Sequence, residues 1–176
     1  MSLIYITGMP SSGKSTVRHE LQRKGFTAYG GAEDGLAAFF NNETGERINW
    51  VESSNRTAEW NEHHTWKIPR KTIEEIKQNS EDKPVFLCAV TRNDKDELWD
   101  LFDKVIALTI DEDTLKHRLA TRTNNDVGKS KHELEILIER QKTAKVEYEK
   151  LGAYLVNATQ PIDQVVEDII KIATPT

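Results

Sequence analysis

The sequence predicts an α/β domain built on a five-stranded, mainly parallel sheet with helices between the strands. Three observations carry that expectation. Short apolar runs alternate with segments of helical spacing along the whole chain. Two of the runs, Val85 to Val90 and Val105 to Ile110, are apolar almost without a break, as strands buried on both faces are. The first run, Leu3 to Thr7, ends in Gly8-Met9-Pro10-Ser11-Ser12-Gly13-Lys14-Ser15, which fits the spacing G-x-x-x-x-G-K-[ST] of a strand–loop–helix phosphate cradle.

The helix after that loop is expected over Thr16 to Lys24. Val17 and Leu21 fall on one face and Gly25 closes it. Phe26 to Tyr29 reads as the second strand. Glu33 and Asp34 then open a short helix through Leu36, Phe39 and Phe40. Asn41 to Ile68 is irregular and holds three of the tryptophans, Trp50, Trp60 and Trp66. Pro69 suits the first turn of a helix to Gln78. Asn93 is placed to cap a helix containing Leu98, Trp99 and Phe102. Asp111, Glu112 and Asp113 set negative charge at the start of a helix reaching Arg122. Thr123 to Lys129 is a polar loop, and Ser130-Lys131-His132-Glu133 matches a capping box before a long helix to Leu151. Ala153 to Val156 is the last strand, and a final helix buries Val165, Val166, Ile169 and Ile170.

Each fixed position of the glycine-rich loop has a physical task. Gly8 and Gly13 let the backbone curl through Met9, Pro10, Ser11 and Ser12 to Thr16, so that the N–H groups of its non-proline residues surround phosphate oxygens. Lys14 brings a mobile positive charge to the β- and γ-phosphates, and the Ser15 hydroxyl is placed to hold Mg²⁺. The following helix aims its positive end at the same anion. These residues imply ATP and Mg²⁺ as the bound species.

Composition sets the outer limits. A chain of 176 residues with 37% hydrophobic and 30% charged residues suits one folded domain. A net charge of −5 argues against a general nucleic-acid binder. No stretch approaches the length of a membrane span, and none reads as a signal peptide. The single cysteine, Cys88, lies in an apolar run, so it reads as a buried hydrophobe in a cytoplasmic protein. The sequence leaves monomer and homodimer equally open.

Phosphoryl transfer depends on positive groups gathered around the γ-phosphate. Arg118 and Arg122, one helical turn apart at the root of the polar loop, are the candidates, as a lid over about 118–132; a solvated helix face is the alternative. His63, His64, Trp60 and Trp66 cluster before Pro69 and suit a flat acceptor, or a core. The acceptor-binding region would then span about 30–80.

The glycine-rich loop after strand one, Arg118-Leu119-x-x-Arg122 after strand four, and the ending Asn157-Ala158-Thr159-Gln160-Pro161-Ile162-Asp163 together resemble the P-loop nucleoside monophosphate kinase-like group, which includes adenylate, shikimate and gluconate kinases. The closest likeness is to small bacterial AAA-type ATP-binding proteins. The resemblance covers nearly the whole chain. It implies a three-layer P-loop fold with strand order 2-3-1-4-5. It also implies that the loop carrying Thr159 and Pro161 packs against adenine, and that the chain is an ATP-dependent kinase for a nucleoside, nucleotide or similar small metabolite.

Two departures stand out. Many members of that group carry Asp-x-Asp just after strand two, where this chain has Tyr29-Gly30-Gly31-Ala32-Glu33-Asp34. Glu33 and Asp34 are the nearest carboxylates, and Asp34 is expected either as general base or metal partner, or as a helix cap. Strand three ends in Val90-Thr91-Arg92-Asn93 rather than in an acidic-Gly pair, leaving Mg²⁺ to Ser15, ATP oxygens and water. Arg92 is a candidate for the acceptor's anionic group, or a structural ion pair. The missing acids keep open a second reading, an ATP-binding regulatory module with weak transfer. A guanine-binding N-K-x-D is absent, since Asn93-Asp94-Lys95-Asp96 does not fit it.

Overall fold

Side-chain alternation along the first strand decides how the layers form. In β1 (Leu3–Gly8), Leu3 and Tyr5 point to one face and Ile4 and Ile6 to the other, and all four are fully buried. A strand apolar on both faces needs cover on both sides, which gives a three-layer sandwich. The computed structural model describes residues 2–48, 51–52, 55–79, 83–121, 123 and 131–174, with only the backbone of 132 and 133. Trp50, Arg122, residues 124–129 of the expected polar loop and Ser130 of the capping box lie outside the described residues.

After β1 come α1 (Lys14–Arg23), β2 (Thr27–Gly30), β3 (Ala38–Asn41), β4 (Arg47–Ile48), α2 (Ala58–His63), β5 (His64–Lys67), α3 (Arg70–Gln78) and β6 (Val85–Cys88). A π-helical turn (Asp94–Leu98) and a 3₁₀ turn (Trp99–Leu101) lead to β7 (Lys104–Thr109), α4 (Glu112–Thr121), α5 (Lys131–Lys150), β8 (Tyr154–Asn157) and α6 (Ile162–Ala173). The main sheet has order β2-β6-β1-β7-β8 and is parallel throughout. Counting only its five strands along the chain, this is the expected order 2-3-1-4-5. Ile6 is central, paired with Cys88 on one side and Ile106 on the other.

One face buries Ile4, Ile6, Phe86, Ile106 and Leu108 against Val17 and Leu21 of α1 and Val165, Val166 and Ile169 of α6. The opposite face buries Leu3, Tyr5, Leu87 and Val105 against Ile68, Ile73, Leu98 and Phe102. A third cluster joins α4 to α5 through Leu115, Leu119 and Leu137.

Two expectations are corrected. The segment from Glu33 is not a helix through Phe39 and Phe40. Gly35 turns the chain with a φ of 66°, and Ala38–Asn41 becomes the middle strand of a second, antiparallel sheet of order β4-β3-β5. Phe39 pairs with Trp66 and Phe40 with Thr65, so residues far apart in sequence hold the strand. Asn93 does not cap an α-helix either. Its carboxamide accepts from Ile68 N (3.3 Å), donates to Ile68 O (2.9 Å) and reaches Glu97 (3.0 Å). With that side chain committed to the strand's neighbour, the next residues wind as a π turn rather than an α-helix.

Candidate active site

The chain runs outward from β1 in both directions, to β6 and β2 on one side and to β7 and β8 on the other. Such a reversal leaves a crevice beyond the carboxyl ends of the strands. The glycine-rich loop fills that crevice. Gly8 has a φ of 145° and Gly13 one of 105°, and Ser11 is the one non-glycine residue at positive φ among those described (63°). This succession of unusual conformations curls the loop into an anion nest. At Gly8 a Cβ would stand 2.7 Å from the carbonyl oxygen of Leu108, so a side chain is excluded there.

The loop is braced from within and from outside. Lys14 Nζ donates to the carbonyls of Gly8 (2.8 Å) and Met9 (2.9 Å). Arg118, from α4, donates through Nη1 to Ser11 O and Ser12 O (3.2 Å each) and through Nη2 to Ala158 O (2.8 Å). Its guanidinium therefore joins the loop to the β8–α6 connection, and its charge lies beside the glycine-rich loop.

A cleft of about 740 Å³ opens over the loop. Pro10 to Val17 line one end, together with Arg118, Ala158, Gln160 and Ile162. Gly31, Ala32, Glu33, Phe39, Arg56, Trp66, Ala89 and Val90 line the rest. The second sheet supplies the aromatic wall: Phe39 packs edge-on against Trp60 (4.8 Å between centroids) and Trp66 (4.9 Å), with the Arg56 guanidinium 5.6 Å from its ring centre.

The carboxylates after β2 divide their work. Ser15 Oγ donates to Glu33 Oε1 at 2.6 Å, and Glu33 lines the cleft. Burial pushes the Glu33 carboxyl up, but the bond from Ser15, its own backbone N–H and the nearby Arg18 charge outweigh this and hold it below the usual range. Asp34 Oδ2 instead accepts from Gly30 N (2.6 Å) and Arg18 Nη1 (3.0 Å), which closes the turn on itself. Asp34 does not line the cleft, and it caps no helix because none follows.

Other expected residues are placed less directly. Met9 turns its side chain toward Leu115, Leu119 and Leu137, away from the cleft, while its carbonyl serves Lys14. Thr159 and Pro161 are exposed, and it is Ala158, Gln160 and Ile162 of the same loop that face the cleft. His64 stacks on Trp60 (4.1 Å) with its Nδ1 on Trp60 O (2.7 Å), outside the cleft lining. Trp66 lines the cleft, whereas Arg92 is exposed beside it, holding Trp66 O through its backbone N–H (2.9 Å). Sequence reasoning passed over Phe39 and Arg56. Phe39 was hidden by the helical reading, and a lone arginine in an irregular stretch carries no signal of its own.

A glycine-rich loop at the reversal point of a parallel 2-3-1-4-5 sheet, with an arginine from the fourth crossover on it, is the P-loop fold that the sequence leads one to expect. Within that architecture the chain belongs to the AAA domain family, whose model matches residues 4–145. No curated protein matches the sequence. Among solved structures, shikimate kinase from Bacteroides thetaiotaomicron shares the fold at a TM-score of 0.61 with 16% identity, covering 97% of each chain. Deoxyadenosine kinase from M. mycoides with bound dATP has a TM-score of 0.54 and 15% identity over 98% of each chain. A gluconokinase from Sinorhizobium meliloti 1021 has a TM-score of 0.52 and 17% identity, over 98% of this chain and 93% of that one. No helix among the described residues is long and apolar enough to cross a membrane.

Proposed function

We propose that the protein is an ATP-dependent kinase that transfers the γ-phosphoryl group to a small metabolite. One observation carries this reading: the phosphate cradle with Lys14 and Ser15 opens into the same cleft as Phe39, Trp66 and Arg56. These residues give the cleft an aromatic and cationic surface beyond the loop, suited to a second, flat or anionic molecule. The shared fold of shikimate, deoxyadenosine and gluconate kinases supports the same class.

In this reading the whole chain works as one domain, with residues of about 30–80 on the acceptor side and about 118–132 as lid. The loop N–H groups and Lys14 bind the β- and γ-phosphates and orient the terminal phosphorus. Arg118 holds the loop's curvature, and Arg122 would add charge from the lid. Val90, Phe39 and Trp66 exclude water beside the acceptor. Arg56 is the acceptor side's cation and would fix an anionic group there.

The residues fit Mg²⁺. Ser15 Oγ is a hard oxygen at the cleft, and among the described residues no group of three or more His, Cys, Asp and Glu could hold a metal unaided. Mg²⁺ characteristically takes few protein oxygens and completes its shell with phosphates and water. When bound, it supplies charge neutralisation on the β- and γ-phosphates. The regulatory alternative rested on missing acids after strand two; Glu33 supplies a carboxylate on that face, which favours transfer over binding alone.

The test is ADP release measured against a panel of nucleosides, nucleotides, sugar acids and shikimate-like acids, with Lys14→Ala as control. At least one acceptor is expected to raise the rate well above the acceptor-free background. ATP binding with no acceptor-dependent release across the panel would overturn the kinase reading in favour of the regulatory one.

A further inference from the structure

The aromatic wall of the cleft belongs to the second sheet, and one asparagine ties it to the first. Trp66 lies on β5, pairs with Phe39 in the antiparallel ladder and lines the cleft beside it. The chain leaving β6 runs up to this strand. Arg92 N donates to Trp66 O at 2.9 Å. Just past β5, a side chain meets the next peptide groups: Asn93 Oδ1 accepts from Ile68 N (3.3 Å), and Asn93 Nδ2 donates to Ile68 O (2.9 Å).

A side chain does this because the backbone carbonyl of residue 93 is already used. Asn93 O accepts from Glu97 N (3.0 Å) as the π turn begins. A carboxamide carries both donors and an acceptor, so it can stand in for a peptide group. Nδ2 also donates to Glu97 Oε2 (3.0 Å), which holds the amide the right way round. Neither partner has water to fall back on, since Asn93 is 4% exposed and Ile68 0%. The turn is anchored in its own right. Asp94 Oδ2 accepts from the hydroxyl of Tyr5 (3.1 Å), and Tyr5 is on β1, the strand that runs into the glycine-rich loop. A continuous path thus leads from the loop through β1, Asp94 and Asn93 to the strand that carries Trp66.

We infer that Asn93 is a positioning residue: its carboxamide sets the distance between the aromatic wall and the glycine-rich loop, and thereby where an acceptor stands relative to the phosphate. The part that concerns the acceptor rests on the proposed kinase function; the placement of the wall does not. Asn93 does not line the cleft, so it acts through Trp66 and, by strand pairing, through Phe39. Without the carboxamide, the buried N–H and C=O of Ile68 lose their partners, and β5 has to move outward for them to reach water.

The experiment binds a methylanthraniloyl-labelled, non-hydrolysable ATP analogue and measures energy transfer to it from tryptophan. The share due to Trp66 is what Trp66→Phe removes, taken in the wild type, Asn93→Leu, Asn93→Ala and Glu97→Ala. Asn93→Leu keeps the volume and loses both the donor and the acceptor. Glu97 is exposed, so Glu97→Ala is expected to fold and only to loosen the orientation of the amide. Affinity for the analogue is expected to stay at the wild-type value in all three, while the Trp66 share falls in both Asn93 variants and falls less in Glu97→Ala. An unchanged Trp66 share in a folded Asn93 variant overturns the inference; if neither folds, an unchanged share in Glu97→Ala does so. A loss of analogue affinity in step with the loss of transfer also overturns it, because that marks a general weakening of the fold. With a working acceptor from the panel, kcat/KM for that acceptor should fall about 10- to 100-fold at a steady KM for ATP, as an ångström-scale misplacement produces. Equal changes in the two constants overturn the inference. A panel with no working acceptor defeats the kinase reading, and the transfer measurement still decides the role of Asn93.

Discussion

Arg118 and Ala158 are joined by a 2.8 Å hydrogen bond from the guanidinium Nη2 to the backbone carbonyl, while Nη1 of the same group holds two carbonyls of the phosphate loop. One side chain thereby fixes the distance between the cradle and the loop expected to meet the adenine. Only a planar fork of donors can serve both partners at once. Arg118→Lys should keep the charge and lose the fork. We expect a stability loss of about 1–3 kcal/mol by denaturant titration and ATP binding weakened by roughly tenfold in calorimetry. An ATP affinity unchanged in Arg118→Lys would show that the tie does not set the donor site.

Gly8 has no room for a side chain. The obstacle to a Cβ is the backbone of Leu108, which cannot step aside as a long side chain can, and the φ of 145° is itself unfavourable for any L-residue. Gly8→Ala is expected to lose about 2–4 kcal/mol of stability. A melting temperature equal to that of the wild type would contradict this packing.

Asp94 is buried below the sheet, where Oδ2 accepts from the Tyr5 hydroxyl (3.1 Å) and Oδ1 from Lys95 N (2.8 Å). Burial, the largest influence, raises its carboxyl above the ordinary 3.8, against the lowering by Tyr5 and by the backbone of Lys95. The native state therefore binds its proton more tightly than the unfolded chain does. Its contribution to stability falls as pH rises from the ordinary aspartate range through the native value, and is level above it. Asp94→Asn removes that fall, so its stability relative to the wild type should improve from pH 4 to pH 7. Asp94→Ala leaves the Tyr5 hydroxyl without its acceptor and should cost about 1–3 kcal/mol. Parallel pH profiles for wild type and Asp94→Asn would refute the assignment.

Arg56 brings a cation to the aromatic wall of the cleft. With an anionic acceptor, Arg56→Gln is expected to raise the acceptor KM by about 10- to 100-fold, the loss of one hydrogen bond to a charged group. The KM for ATP should hold steady. Equal changes in both constants would place Arg56 outside acceptor recognition.

The glycine-rich-loop end of the cleft was legible because its constraints are local. A loop of fixed spacing, preceded by an apolar strand and followed by a helical pattern, needs no distant partner to be recognised. The central strands were legible for a related reason: β6 and β7 are apolar on both faces, so their burial shows in composition alone. The aromatic wall was not. β3 is a strand because Phe39 and Phe40 pair with Trp66 and Thr65, and nothing inside Leu36 to Asn41 announces those partners. Glu33 and Asp34 are adjacent and chemically alike. Only the turn geometry assigns one to Ser15 and the other to Arg18, and the sequence had leaned toward Asp34. The π turn at Asp94 likewise follows from contacts of Asn93 and Asp94 with residues 68 and 5, which no local pattern encodes.

Cys88 sits mid-sheet between Ile6 and Gly30, and its thiol is pushed up to about 12 by burial, against the pull of Lys14 and Arg18. The folded protein thus presents no thiolate to a maleimide or a disulfide reagent at neutral pH. Cys88 borders the cleft but is only 4% exposed, so labelling of the native thiol reports opening of the site, readable by mass alone. A cysteine introduced on the acceptor wall would carry a fluorophore without any prior removal of the one already there.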